Sequence, residues 1–489
     1  MTVLDIKKKF IAASIIIILF LSINISKSTI NKLNDFTQIS MDLSDSSIWI
    51  QEIGDSSASI AGGFGGPNNF ATRAMEIFNG ELYIGTQSIF IDMFPPILLK
   101  LLVTSLVFQY KLLYNTSFSK LSWQLLSSMI PLYGVFNKGC EVWKYNNSEA
   151  KWSPIVSNAP GSILSAGFGS KRNFAASVII SFNGKLYMGN AGSTLFGCEI
   201  WEFDGQQFEK VVKGGFGDRF NSGAWSATVF NDELYVGTMN WKHGCQIWKT
   251  IDGENWEEMP LPGRDGFGTR WNVYLWSFGI YNDLLYAGTV NLNGCQLWSY
   301  DGQQWIKVDL PGGDGFGEHE NYGIRNIVEF NGELWFAIAT NALLDSEACE
   351  IWKYDGEIWT QVIGDSCYLG DGFDDIYNKY AWSMIPKSDN SLWVGTMSIQ
   401  MLDGALPGAS KGCEIWRYNG ISWKEIVGES KSSEATNGFG NNLNLGARSM
   451  IEYPENSGII WVGTFNLDVK DFKTFKGCEV WKRTVIQAD

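Results

Sequence analysis

Residues 215–256, GFGDRFNSGAWSATVFNDELYVGTMNWKHGCQIWKTIDGENW, contain the repeating unit that decides the fold of this 489-residue chain. The unit joins a glycine-rich loop, an apolar run and a cysteine–tryptophan run. These three signals occur seven times, always in the same order. Repetition with a period of about 50 residues is typical of propellers and other repeat architectures, not of unrelated domains joined in series.

Each of the three signals keeps the same type of residue pattern in all seven copies. The glycine-rich loop, G-F-[GD]-x-x-x-N, ends at Asn69, Asn173, Asn221, Asn272, Asn321, Asn378 and Asn444. The apolar run, of the L-Y-V-G-T type, occupies Leu82–Thr86, Leu186–Asn190, Leu234–Thr238, Leu285–Thr289, Leu334–Ile338, Leu392–Thr396 and Ile460–Thr464. The third run, [GA]-C-[EQ]-[IVL]-W, contains Cys140, Cys198, Cys245, Cys295, Cys349, Cys413 and Cys478.

Each unit predicts four antiparallel strands. The first strand follows the asparagine and ends at a two-residue turn such as Asn231-Asp232, whose residues tolerate the positive φ of a tight hairpin. The apolar run is the second strand and the cysteine–tryptophan run is the third. A second turn, Asp252-Gly253 in this copy, leads to a fourth strand with an aromatic residue near its start, here Trp256.

The last unit lacks a fourth strand after Trp481, and the N-terminus supplies a candidate for it. Ser47–Asp55 (SIWIQEIGD) matches Glu357–Asp365 (EIWTQVIGD), which includes the predicted fourth strand of an earlier unit. A sheet shared between both termini closes a ring and removes two open sheet edges. The sequence therefore predicts an all-β fold, a seven-bladed β-propeller of four-stranded blades over residues 47–489, with the last blade closed by an N-terminal strand.

The unit resembles the kelch type of propeller blade, in which an apolar strand ending in glycine is followed by a strand and a Y-D-G-x-x-W turn, here Tyr354–Trp359. The turn is also similar to the Asp-box of sialidase-like propellers, here Thr250–Trp256, which is one residue short. Kelch blades usually have Gly-Gly where this chain has Gly-Thr. The resemblance implies a propeller and leaves function open, because propellers host binding, scaffolding and several enzyme chemistries.

Most repeated residues are predicted to be structural. We expect the seven asparagines to hydrogen-bond their own loops, with a ring of ligand contacts as the alternative. We expect the loop phenylalanines to pack between blades. Seven cysteines at equivalent sites, on a ring of about 12 Å radius, would lie about 10 Å from their neighbours. A disulfide requires Cα atoms within about 7 Å, so buried thiols are predicted. Cys367 lies outside the repeat.

The fourth residue after each asparagine varies between blades and is the candidate binding position. It is Ser177 in one blade and an arginine or tryptophan in the others: Arg73, Trp225, Trp276, Arg325, Trp382 and Arg448. The first strand lines the channel of a propeller, which predicts these side chains at the mouth on the loop-rich face. Guanidinium groups bind carboxylates and indoles stack on sugars, so this mouth suits an anionic or carbohydrate ligand. The alternative is packing between blades and pairing with acidic loops.

Charge and residue content exclude other functions. The chain has 37 Lys+Arg and 52 Asp+Glu, a net charge of −15. Nucleic acids and anionic membrane surfaces require basic patches, so neither is predicted as a main partner. The two histidines, His243 and His319, exclude a three-histidine metal site, and the chain has no C-x-x-C pair for zinc. We therefore predict no metal and no cofactor.

Two segments depart from the repeat. Lys7–Lys9 precede 16 residues, Phe10–Ile25, that are mainly apolar, which predicts a hydrophobic helix in residues 1–28 that is either a signal peptide or a membrane anchor. A linker over residues 29–46 follows, and the propeller would lie outside the cell or at its surface. Residues 87–138 are predicted as an apolar, helical insertion in the first blade, which either contacts a membrane or partner or packs on the propeller as a lid.

These observations favour one function and leave a second as the alternative. The first is an exported or membrane-anchored binding or interaction module with a protein or carbohydrate ligand at the loop-rich face. The alternative is a carbohydrate-active enzyme, a sialidase-like hydrolase or a lyase. That chemistry needs paired carboxylates or a basic side chain, for which the candidates are Asp371, Asp374, Asp375 and His319.

Overall fold

The structure is a computed structural model that describes residues 46–55, 57–88, 138–192, 195–341, 347–399, 410–467 and 476–486. Residues 47–485 form one compact unit. The hydrophobic segment predicted in residues 1–28, the linker up to residue 45 and residues 89–137 of the predicted insertion lie outside the described residues. Within the described ranges, no helix has both the length and the apolar content needed to cross a membrane.

The described chain is all-β apart from short turns and 3-10 segments, as the sequence predicts. The first strands in the chain are β1 (Ser46–Gly54) and β2 (Ile60–Ala61). The next strands are β3 (Asn69–Phe78), β4 (Glu81–Ser88), β5 (Val142–Asn146), β6 (Lys151–Val156), β7 (Ala175–Phe182), β8 (Lys185–Ala191), β9 (Ile200–Phe203), β10 (Phe208–Val212), β11 (Asn221–Phe230), β12 (Glu233–Asn240), β13 (Ile247–Thr250) and β14 (Glu257–Glu258). They are followed by β15 (Tyr274–Tyr281), β16 (Leu284–Val290), β17 (Leu297–Tyr300), β18 (Trp305–Lys307), β19 (Asn321–Phe330), β20 (Glu333–Thr340), β21 (Ile351–Tyr354), β22 (Trp359–Ile363), β23 (Asn378–Lys387), β24 (Ser391–Ser398), β25 (Ile415–Tyr418), β26 (Trp423–Val427), β27 (Asn444–Glu452), β28 (Ile460–Asn466) and β29 (Val480–Ile486). The 3-10 segments are Gly62–Gly65, Asp314–Gly317, Asp371–Asp374 and Asn437–Gly440.

From β3 to β26, each set of four consecutive strands pairs antiparallel in chain order, and the last three strands, β27 to β29, pair in the same way; we call each such set a unit. The second strand of a unit also pairs with the first strand of the next unit, as at Gln87↔Ala175 and Met239↔Tyr274. The last of these links, Phe465↔Ala71, returns from β28 to β3. The antiparallel sheet is therefore closed.

The N-terminal strand completes the last unit, where the sequence places it. β1 pairs with β29. The Trp49 ring packs edge-on against Phe439 at 4.9 Å between centroids, and Glu52 pairs with Lys482 at 2.8 Å. Trp49 thus takes the position that Trp256 takes within its own unit, where Trp256 packs edge-on against Phe216.

The loop phenylalanines lie between neighbouring units, as predicted. Phe216 stacks on Trp248 of its own unit at 4.7 Å, while the backbone of the adjacent Gly215 donates to the carbonyl of Cys198 in the preceding unit. All seven phenylalanines have a left-handed backbone, with φ between +52° and +61° at Phe64, Phe168, Phe216, Phe267, Phe316, Phe373 and Phe439. That conformation is unfavourable for a bulky residue, so the stacking must offset its cost.

The loop asparagines form hydrogen bonds within their own units, and the repeat cysteines are buried. Asn378 Nδ2 donates to the carbonyl of Gly372 in its own loop and to Glu414 of the same unit, and Trp416 Nε1 donates to that carboxylate. Equivalent loop bonds form at Asn69, Asn173, Asn221, Asn272 and Asn444, whereas Asn321 donates to Glu350. The eight cysteines are free thiols, and the seven in the repeat are buried, as predicted.

Candidate functional site

A repeated β-bulge sets the direction of the candidate binding residues. In the pairing of β11 with β12, Ala224 and Ser226 have consecutive partners, and Trp225 between them has none. The same register shift occurs in every first strand, at the fourth residue after the asparagine. A bulge leaves one residue out of the ladder and re-aims its side chain. The bulges explain how this position turns towards the ring axis.

The bulged side chains converge on one cavity of about 260 Å³. All of the predicted binding residues line it: Arg73, Trp225, Trp276, Arg325, Trp382 and Arg448. Ser177, the seventh residue at this position, lines it as well. The next layer contains small polar residues that bridge the units: Ser226 Oγ donates to Leu275 O at 2.9 Å, and Ser383 Oγ donates to Ala447 O at 2.8 Å.

We call the bulged arginines and tryptophans the Arg/Trp layer. The cavity lies on the side of this layer that faces the tight hairpin turns, whereas the sequence predicts a site at the mouth on the loop-rich face. Its remaining lining residues, such as Phe278 and Met450, follow the bulge along the first strands towards the tight turns. On the loop-rich side, aromatic residues pack against the same layer: Tyr274 against Trp225 at 4.9 Å, and Phe465 against Trp382 at 5.2 Å. These aromatic rings fill space beside the tryptophans on the loop-rich side, where the sequence predicts the mouth.

Each arginine of the cavity lies over a tryptophan ring. The Cζ atom of Arg73 is 3.9 Å from the ring centre of Trp225. Arg325 lies over Trp276 at 5.1 Å and Arg448 over Trp382 at 4.9 Å. A guanidinium stacked on an indole gains cation–π attraction and keeps its planar edge of N–H donors available for a ligand.

The cavity carries positive charge without a carboxylate in its lining. Arg73 is 8% exposed; burial and the charges of Arg448 and Arg325 hold its pKa well below the ordinary value. Burial lowers the pKa of Arg325 to about 10. The described residues also place no acceptor within hydrogen-bond distance of the buried Nε1 atoms of Trp225, Trp276 and Trp382. The cavity therefore offers donors and positive charge to an anionic ligand.

The acidic candidates for catalysis do not line this cavity. Asp371 accepts from the Ala348 backbone at 2.9 Å, and Asp374 accepts from Gly370 at 2.9 Å. Asp375 accepts from the Tyr377 backbone, and His319 lies 3.3 Å from Glu320. In the structure Asp374 and Asp375 therefore organise the backbone of their own loop, and Asp371 ties that loop to the one before β21.

Two glutamates with raised pKa values lie outside the cavity lining and hold tryptophan side chains in place. Burial raises the pKa of Glu350 and of Glu414 to about 7. Each accepts from the tryptophan two residues later, at 2.7 Å for Glu350 and 2.9 Å for Glu414. The equivalent residue in another unit is Gln246, which also accepts from its tryptophan. A neutral residue serves this position, so the raised pKa values do not identify a catalytic pair.

No protein-family model and no curated protein matches the chain. Among solved structures, it is similar to the extracellular domain of a hybrid two component system from B. thetaiotaomicron, at 10% identity and a TM-score of 0.48 over 89% of this chain. This chain spans 39% of that neighbour. The β-propeller domain of the Trilobed protease from Pyrococcus furiosus matches 86% of this chain and 97% of its own length, at 8% identity and a TM-score of 0.41. The SapL1 lectin matches 64% of this chain and 94% of its own, at 13% identity and a TM-score of 0.34. Likenesses at this level identify no ligand, and the kelch resemblance stays an expectation.

Proposed function

We propose that the chain is a seven-bladed β-propeller that acts as an exported or membrane-anchored binding module, with a small anionic ligand in its central channel. The blades are the four-stranded units, and the last one contains β1. The seven sequence repeats support the blade number, and the return link Phe465↔Ala71 supports closure. The basic and apolar N-terminal pattern supports export to the cell surface or the extracellular space.

The observation that carries this proposal is the convergence of three arginines on one cavity. Arg73, Arg325 and Arg448 line it together, and no aspartate or glutamate is among the lining residues. Burying several like charges close together is costly, and a bound anion would remove much of that cost. Arginine forks match carboxylates in bidentate geometry, so a carboxylate-bearing ligand is favoured.

Cavity size and the tryptophans favour a sugar acid over a protein segment. A cavity of about 260 Å³ suits a small molecule. The side chains of Trp225, Trp276 and Trp382 would contact the ring of a sugar, while the guanidinium groups hold the carboxylate. A hexuronate combines both features in one ring.

A carbohydrate-active enzyme is the less favoured function. A glycosidase of the usual kind places two carboxyl groups on either side of the scissile bond. The cavity lining supplies none, and Asp371, Asp374 and Asp375 accept backbone hydrogen bonds outside the cavity.

Calorimetric titration with galacturonate and with galactose tests the proposal. We expect galacturonate to bind and galactose to bind much more weakly. The variant Arg325→Met should weaken galacturonate binding by at least about tenfold, because one charged contact is lost. Arg417→Met is the matched control, since Arg417 pairs with Asp389 outside the cavity. Equal affinity for both sugars, or an equal effect of both variants, would remove the channel as the ligand site.

A further inference from the structure

A second positively charged surface lies on the loop-rich face, away from the channel cavity. It consists of the glycine-rich loops that precede β7, β11 and β15, where the exposed residues include Lys171, Arg172, Arg219 and Arg270. These loops belong to neighbouring units, because β8 pairs with β11 and β12 pairs with β15. We call this surface the basic strip.

Each arginine of the basic strip lies against an aromatic ring. Arg172 is 3.8 Å from the ring centre of Phe196, Arg219 is 4.8 Å from Phe220, and Arg270 is 4.7 Å from Trp271. Lys242 lies over the Phe220 ring as well, at 4.1 Å. A stacked guanidinium is partly ordered before a ligand arrives, so it loses less entropy on binding.

The three loops contain six basic residues and two carboxylates, Asp218 and Asp265, so they keep a net positive charge. Asp218, in the same loop as Arg219, lies 2.8 Å from His243 Nδ1 and accepts from Asn240 Nδ2 at 3.0 Å. Its oxygens are thus engaged within the loop-rich face. Beyond β15 the corresponding loops change sign, with Glu318 and Glu320 before β19. The basic strip is therefore bounded on one side by acidic loops.

We infer that the basic strip binds an extended acidic polysaccharide that carries a carboxylate on recurring sugar residues. Three equivalent loops on successive units carry a basic residue two positions before the asparagine, Lys171, Arg219 and Arg270, which suits a polymer with recurring charges. The half-exposed Phe196 ring adds an apolar surface for a sugar face, which an acidic peptide does not need. The overall charge of −15 disfavours a nucleic acid, whose density of phosphates would meet the acidic surface around the basic strip.

Binding of polygalacturonate to the full-length chain tests this inference, with dextran, poly-glutamate and single-stranded DNA as the other probes. We expect polygalacturonate to bind and dextran not to bind. The triple variant Arg172→Ala/Arg219→Ala/Arg270→Ala should lower the affinity by at least about tenfold. The slope of log affinity against log salt concentration should become less steep by about 2 to 3. The control is Lys151→Ala/Lys424→Ala/Lys431→Ala, which removes three exposed positive charges elsewhere and should leave the affinity within about twofold.

A further variant and a second ligand keep the test independent of folding and of the channel. If the alanine triple variant is unfolded by circular dichroism, the triple lysine variant keeps the charge but loses the planar forks, and should bind several-fold more weakly. The folded triple variant should bind monomeric galacturonate as the wild type does, so failure of the channel proposal is distinguishable from failure here. Preferred binding of poly-glutamate or DNA, no binding of polygalacturonate, or an equal loss in the lysine control would overturn the inference.

Discussion

Replacing Glu414 by glutamine should make the protein more stable at pH 8 and change it little at pH 5. The carboxyl group is 5% exposed, and burial raises its pKa from the ordinary 4.5 to about 7. The folded protein therefore keeps the proton to higher pH than the unfolded chain does. The contribution of this group to stability is fully present below about pH 4.5, is lost as the pH rises through 7, and stays lost above it.

The magnitude follows from the difference between the two pKa values. A shift of one pKa unit corresponds to 1.36 kcal/mol, so a pKa of about 7 against 4.5 gives a penalty of about 3 kcal/mol at pH 8. Glutamine keeps an oxygen to accept from Asn378 and Trp416 and never ionises. Gln246 already fills the equivalent position in another unit.

Urea denaturation of the wild type and of Glu414→Gln at pH 5 and pH 8 measures the effect. We expect a gain of about 2 to 3 kcal/mol at pH 8 and less than about 1 kcal/mol at pH 5. Glu357→Gln, at an exposed turn, is the control and should show no such difference. A variant that is destabilised equally at both pH values would refute the reasoning, because the glutamate would then contribute through its shape or its hydrogen bonds and not through a buried charge.

Three other perturbations test the framework. Phe216→Ala should cost about 3 kcal/mol of unfolding free energy, because it removes the ring that packs on Trp248 and Trp256; a loss below about 1 kcal/mol in urea denaturation would contradict that packing. Trp49→Ala should destabilise the protein about as much as Trp423→Ala, since both rings pack edge-on against a loop phenylalanine; a silent Trp49→Ala would argue against closure by the N-terminal strand. In the native protein a thiol reagent should label at most Cys367, whereas all eight thiols should react in urea; rapid native labelling of several thiols would show that the repeat cysteines are not buried.

The repeats allowed most of the fold to be predicted from the sequence. The recurring apolar and cysteine–tryptophan runs indicated the strands, and the Asn-Gly and Asn-Asp pairs indicated the hairpins, where Asn231 and Asp232 both have positive φ. The match between Ser47–Asp55 and Glu357–Asp365 predicted the contact of β1 with β29. The loop hydrogen bond predicted for the asparagines forms at six of the seven, and the seven repeat cysteines are buried as predicted, because each prediction rested on a residue that recurs in every unit.

The position of the cavity along the channel could not be predicted. A β-bulge is a single extra residue without a characteristic sequence, so the strand period alone does not show that Trp225 leaves the ladder. The left-handed backbone of Phe216 was equally hidden, because bulky residues rarely adopt it. Aromatic residues two positions after the asparagine, Tyr274 and Tyr380, were a usable signal that the loop-rich side of the Arg/Trp layer is packed.

The most direct measurement of the central claim is a crystal structure of the protein soaked with galacturonate. The three arginines that share the cavity predict density for the sugar inside the channel, with its carboxylate in contact with at least two of Arg73, Arg325 and Arg448. An empty channel in a crystal whose sugar is bound at another site, or no bound sugar at a concentration that saturates the protein in solution, would contradict the account.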